Sequence, residues 1–404
     1  MEVNHKRVTQ AEKQGKAAIL IEVFRVSIKL GLTSFGGPIA HLGYFHNEYI
    51  RRRKWMDERS YADLVALCQF LPGPASSQVG IGVGIVRAGL IGGLVAWLGF
   101  TLPSIIALVA FAFLLQGYDI GSTGWIHGLK IVAVAIVAHA ILGMGQKLTP
   151  DRDRVTIAVI AATVTLYWQT AYSQVFIIVA AGLVGLWLYR KKAVEKAPNL
   201  HINISRSIAI VCLVMFFFLL IALPLLRQWG DVEWLAMFDS FYRAGSLVFG
   251  GGHVVLPLLE HEVVSTGWVS ESDFLAGYSA AQAVPGPLFT FASYLGTMTG
   301  GLSGAIVATI AIFLPAYLLV AGALPFWNVL RSSPKIQGAL VGINAAVVGI
   351  LLAALYDPLW TNTILESGDF ILAAILFIML VFWKLPPWMI VFTGAAGGMV
   401  LGLL

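Results

Sequence analysis

The stretch Gln69-Phe-Leu-Pro-Gly-Pro74 returns 213 positions later as Gln282-Ala-Val-Pro-Gly-Pro287. Its surroundings return with it. Gly31–Pro38 reads GLTSFGGP where Gly245–Gly252 reads GSLVFGGG, and Trp55 then matches Trp268. Phe100–Pro103 (FTLP) matches Ile312–Pro315 (IFLP), and Trp125–Leu142 resembles Lys335–Leu352. Order and spacing agree over roughly 170 residues per copy, which makes the chain a tandem duplication.

What solvent the copies fold in follows from composition. The 404 residues are 58% hydrophobic and 12% charged, with a mean hydropathy of +0.83. A water-soluble domain could not cover itself with so little polar surface, so the class is an all-α polytopic membrane protein. Apolar stretches lie throughout, which excludes a soluble enzyme on one anchor. The first fifteen residues, MEVNHKRVTQAEKQG, lack the apolar core of a signal peptide, so the N-terminus is expected to stay cytoplasmic. The net charge of +5 belongs to loops, and no basic tract interleaves with aromatics, so no nucleic-acid partner is expected. Cys68 and Cys212 have no CxxC spacing, and neither a metal site nor a cofactor is suggested.

Loop charges set the orientation. Arg51, Arg52, Arg53 and Lys54, then Lys147, Arg152 and Arg154, then Arg190, Lys191 and Lys192 form basic loops, whereas Tyr118–Gly124 and Gln169–Ser173 carry no cation. The positive-inside preference puts the basic loops in the cytoplasm. The chain divides into a cytoplasmic segment 1–16, a first copy 17–190, a basic cytoplasmic linker 191–206, an extra spanning helix 207–226 and a second copy 236–404. The single extra crossing delivers the second copy upside down. Its charges agree: Leu259–Asp273 holds Glu260, Glu262, Glu271 and Asp273 without a cation, while Arg331, Lys335 and Lys384 fall on the other side. The expected architecture is an inverted-topology tandem repeat with a periplasmic C-terminus, a plan of secondary transporters.

Full crossings at Ala17–Phe35 and Tyr61–Ile85 would put Arg51–Lys54 and Arg87 on the wrong side. Re-entrant broken-helix hairpins remove both conflicts, with breaks at Phe35-Gly36-Gly37-Pro38 and Pro72-Gly73-Pro74. Such breaks expose free N–H groups and the positive ends of helix dipoles, which attract anions. Thr33, Ser34, Ser76, Ser77 and Thr290 are neutral donors beside them, returning half-helices begin at Pro38, Gly252, Pro74 and Pro287, and Gln69 and Gln282 precede the second break of each copy. Lys29 aligns with Arg243, two residues before equivalent glycines, and both are expected to contact an anion; snorkelling to the interface is the alternative for Lys29. Glu22 and Arg25 share the helical face of Lys29 and read as a structural pair or as coupling charges, and Asp63 is a candidate proton carrier. His41 and His253 do not align, His139 reads as packed, and Glu48, Glu58, Glu262 and Glu271 read as structural.

With FGGP…QFLPGP and FGGG…QAVPGP in view, the chain resembles two-domain members of the chromate ion transporter family over nearly its whole length. The resemblance implies an inner-membrane secondary transporter, an antiporter driven by a proton or charge gradient that exports chromate by alternating access. The family motif falls on Phe35, Gly36, Gly37, Pro38, Gln69, Pro72, Gly73 and Pro74, and on Phe249, Gly250, Gly251, Gln282, Pro285, Gly286 and Pro287. Gly-Gly-Pro becomes Gly-Gly-Gly in the second copy, so the copies need not share binding equally. Chromate and sulfate are both tetrahedral dianions, and transport of sulfate or another oxyanion stays open, as does a homodimer. A third alternative is an undecaprenyl diphosphate phosphatase-like enzyme, against which stands the lack of an arginine after either Pro-Gly.

Overall fold

The computed structural model describes residues 15–35, 37–117, 124–168, 171–189, 204–229, 232–249, 252–327 and 333–403. Among these residues the chain is helical throughout. The first series is α1 (Lys16–Thr33), α2 (Gly37–Phe45, running on into a wider π turn, His46–Arg52), α3 (Glu58–Phe70), α4 (Ala75–Gly117), α5 (Gly124–Leu148), α6 (Arg152–Tyr167) and α7 (Ala171–Tyr189). After α8 (Arg206–Arg227) the order recurs as α9 (Glu233–Leu247), α10 (Val255–Val263), α11 (Glu271–Ala283), α12 (Phe291–Ala323), α13 (Pro334–Ala354), α14 (Ser367–Val381) and α15 (Pro387–Leu401). Of the basic linker read at 191–206, all but 204–206 lies outside the described residues, as does Arg331.

Among the described residues, five helical stretches are long and apolar enough to cross a bilayer: Ala75–Gly117, Gly124–Leu148, Arg206–Arg227, Leu288–Phe326 and Pro334–Trp360. Burial ranks them. Only 17% of the α8 window is inside the protein, against 72% for Leu288–Phe326. With a mean hydropathy of 3.1, α8 turns its side chains to lipid at the periphery. The second copy's long helix is instead the centre of the molecule, bonded to α4 by Tyr317 Oη to Leu90 O (2.8 Å) and Gln116 Nε2 to Met298 O (3.3 Å).

Local signals repeat as faithfully as the elements do. Asp57 caps α3 by accepting from Ser60 N (3.0 Å), and Ser270 caps α11 by accepting from Asp273 N (3.1 Å). In α4, Ala88 (φ −143°) and Gly89 (φ 70°) leave helical geometry, as Gly300 (φ −139°) and Gly301 (φ 61°) do in α12. The chain folds back there: a Cβ on Gly84 would strike the Gly92 carbonyl, and one on Gly296 the Gly304 carbonyl. In a straight helix residues eight apart stand about 12 Å from each other. Each nominally single helix is therefore a short arm reversing into a long one.

The copies exchange contacts reciprocally. Gly73 N donates to Val248 O (2.7 Å), and its counterpart Gly286 N donates to Ser34 O (3.0 Å), where Ser34 is the counterpart of Val248. Gly124 and Gly128 of α5 pack on Gly394 and Gly398 of α15, while Gly338 and Gly342 of α13 pack on Ala181 and Gly185 of α7. Small residues let the backbones approach where lipid offers no hydrophobic drive. Each copy's last helix thus completes the other copy.

Gly73 (φ 118°) and Gly286 (φ 112°) hold backbone conformations that a side chain disfavours. A Cβ at Gly286 would also sit 2.6 Å from Ser104 Oγ. G286A is expected to cost about 2–5 kcal/mol from strain and overpacking together. Chemical unfolding of the detergent-solubilised protein measures it; an unchanged midpoint would refute this reading of the turn.

Candidate functional site

The first copy's Gly-Gly break, the segment that follows the second copy's Gly-Gly and the second copy's Pro-Gly-Pro break meet at a small cleft. From the first copy come Ser34, which ends α1 in extended geometry, with Gly37, Pro38 and His41 of α2. From the second come His253, Ala281, Gln282, Val284, Gly286 and Leu288, and Pro387 at the head of α15 closes one side. Equivalent positions touch here: a Cβ on Gly252 would lie 3.9 Å from Cγ of Pro38, its own counterpart.

Three residues that line the cleft each carry a buried polar atom. Ser34 Oγ, His41 Nε2 and Gln282 Nε2 have no hydrogen-bond partner among the described residues. Ser34 and His41 are 0% and 1% exposed. Leaving such a group unsatisfied costs about 1–3 kcal/mol, so three in one place mark a surface built to hold something polar. His41 Nδ1 lies 3.2 Å from Ser76 Oγ, and its ring meets Phe100 edge-on. When the Ser76 hydroxyl donates to Nδ1, the neutral ring carries its hydrogen on Nε2. Hydroxyl, imidazole N–H and carboxamide N–H are then uncharged donors on residues that line the cleft. His253 stands beside them, its Nδ1 2.9 Å from Tyr278 Oη.

The residues singled out from sequence divide. Ser34, Gly37, Pro38, Gln282 and Gly286 line the cleft, and Ser76 supports it through His41. Gly36, Gly250 and Gly251 lie outside the described residues. Gln69 is exposed although its counterpart Gln282 lines the cleft. Thr33 Oγ1 donates to Lys29 O (2.9 Å) and Thr290 Oγ1 to Pro287 O (2.7 Å). Pro72 O accepts from Gln78 Nε2 (2.7 Å), and Pro74 O from Gln78 N (2.9 Å). Ser77 is buried, its Oγ without a partner among the described residues. Phe35, Phe249 and Pro285 are half-buried, while Gly252 and Pro287 are buried.

The paired cations occupy equivalent ion pairs. Lys29 Nζ reaches Glu48 Oε2 at 2.9 Å, and Arg243 Nη1 reaches Glu262 Oε1 at 2.8 Å. Around the first, Arg53 bridges Glu48 (2.9 Å) and Glu22 (2.8 Å), and Arg87 adds a contact to Glu22 at 3.2 Å. Around the second, Asp239 accepts from Arg243 Nε (3.0 Å) and Nη2 (2.9 Å), with Arg227 at 3.4 Å. Glu22 therefore pairs with Arg53 and Arg87 rather than with Arg25, which is exposed. Asp63 is half-buried on α3, and His139, read as packed, is exposed on α5. Glu48 is buried among cations, while Glu58 is exposed with its Oε2 2.6 Å from His46 Nε2.

Alignment of the copies sets His41 and His253 aside, because the two do not match each other. Each nevertheless follows its copy's Gly-Gly break closely, by four residues and by two. Position relative to the break, rather than alignment between copies, is the signal that finds them. The counterparts of Ser34 and His41 are Val248 and Val255, so the second copy's break offers no such donors.

Comparison with known proteins adds the following. A family model described as "Chromate transporter" matches residues 21–186 and 235–399. The chromate transport protein of Pseudomonas aeruginosa is 28% identical over 351 residues, covering 83% of this chain and 80% of that protein. The chromate transport protein of Cupriavidus metallidurans is 27% identical over 389 residues, covering 93% and 90%. An uncharacterized transporter of Bacillus subtilis is 30% identical over 175 residues, covering 41% of this chain and 96% of that protein. No solved structure matches.

Proposed function

The chain belongs to the chromate transporter family, and we propose that it is a secondary transporter exporting chromate across a bacterial inner membrane. The observation that carries the site is the convergence of Ser34 Oγ, His41 Nε2 and Gln282 Nε2, drawn from both copies onto one cleft between helix breaks. A tetrahedral dianion presents acceptor oxygens in several directions and suits separated, uncharged donors. Neutral donors bind it without charge that would retain it, as release on the far side requires. Lys29 and Arg243, held by Glu48 and Glu262, brace the segments that form the cleft.

The transport cycle is alternating access, the two copies rocking about the cleft as inverted repeats. Reciprocal contacts such as Gly73–Val248 and Gly286–Ser34 support a two-fold relation between them, and loop charges support an axis in the membrane plane. The reversals at Gly89 and Gly301, together with the breaks at Ser34 and Val248, support re-entrant hairpins. The same charges put the N-terminus in the cytoplasm and the C-terminus in the periplasm.

Radiolabelled chromate flux in everted membrane vesicles tests this. Energised vesicles should accumulate chromate uphill, lose it when the proton gradient is collapsed, and be inhibited by sulfate only if the cleft reads shape and charge alone. Accumulation equal to that of vesicles lacking the protein would refute it.

A further inference from the structure

A dianion must have its charge offset somewhere along its path, and the cleft's unpartnered donors are uncharged. The cations beside the breaks are engaged: Lys29 with Glu48, Arg243 with Asp239 and Glu262. Lys130 is not. It lies six residues inside α5, a 25-residue apolar helix, and makes no hydrogen bond or ion pair among the described residues.

Lys130 is itself half-buried, and core residues flank it on its side of the helix. The neighbours at helical spacing, Ile126, Ala133, Val134 and Val137, are only 0–3% exposed, and the last three belong to the main core. An unpaired ammonium within an apolar helix marks a candidate ion pathway. The position is also tied to the cleft. Leu129 O accepts from Ser279 Oγ of α11, and Gln282 follows Ser279 by one turn, about 5.4 Å of rise.

We propose that Lys130 supplies the positive charge that draws a divalent tetrahedral oxyanion along the α5–α11 seam to the cleft, an inference resting on the transport reading above. An ammonium is suited to this role because it is a mobile point charge, attracting the ion without the fixed two-pronged grip of a guanidinium.

Chromate flux in everted vesicles should show K130Q raising the half-saturating concentration about tenfold while maximal flux changes less than about twofold, with K130R recovering most of the affinity. A half-saturating concentration unchanged in K130Q would overturn the proposal, since mere structural support would move protein level or maximal flux instead. A second measurement needs neither variant nor flux. In the purified wild-type protein, chromate at ten times its dissociation constant should slow amine-reagent labelling of Lys130 about tenfold relative to matched chloride, leaving Lys147 unchanged. Equal labelling with and without chromate overturns the proposal. Protection of Lys130 in a protein that shows no flux would sustain the site and refute transport.

Discussion

Chromate flux in a protein carrying S34A together with Q282L is expected to fall about a hundredfold or more at sub-saturating substrate. Each substitution removes a buried donor on a residue that lines the cleft, and a hydrogen bond to a charged acceptor is worth about 1.5–3 kcal/mol, so two lost together exceed a factor of a hundred. The discriminating readout is stability. Ser34 Oγ has no partner among the described residues, and Tyr278 Oη keeps its contact with His253 Nδ1 when Gln282 is lost, so their removal strands little inside the protein. The double variant should accumulate like the wild type and melt no earlier. Flux lost with a lowered melting temperature would instead make these side chains structural, and flux retained would remove them from the site.

The largest effect on stability is expected from D239A. The Asp239 carboxylate is 1% exposed and accepts from Arg243 through both oxygens while also meeting Arg227. Without it two guanidiniums share Glu262 alone. Breaking a buried pair by removing one partner costs about 3–5 kcal/mol, because the remaining charge stays desolvated. The first copy provides the comparison: Glu22 is 32% exposed, and E22A should cost no more than about 1 kcal/mol. Unfolding of both variants in detergent measures the difference, and similar losses would mean that burial does not set the strength of these networks.

Much of the fold is legible in the residues themselves. Glycine reaches positive φ without strain and proline fixes φ, so Gly73 and Gly286 mark turns that the backbone indeed makes at positive φ. The caps Asp57 and Ser270 and the matching order of α1–α7 and α9–α15 are likewise present in the aligned copies. The reversals at Ala88-Gly89 and Gly300-Gly301 escape such a reading, because a tight turn between two apolar helices leaves hydropathy unbroken. Partners for the intramembrane charges escape it too. Spacing on α1 suggests Glu22 with Arg25, but Arg25 is exposed and Arg53, from another element, takes the Glu22 carboxylate at 2.8 Å.

By itself the sequence determined the solvent, the duplication and the places where helices break, since these depend on composition and on the local freedom of glycine and rigidity of proline. Only the tertiary structure decided which polar groups meet. Aligned copies look equal in one dimension, yet the cleft forms where the first copy's Gly-Gly break crosses the second copy's Pro-Gly-Pro. Ser34 and His41 thereby face Gln282 and His253, while Val248, Val255 and Gln69 stay apart from them. The asymmetry arises because a two-fold exchange of contacts joins each break to the opposite copy, and the residues beside those breaks differ between the copies.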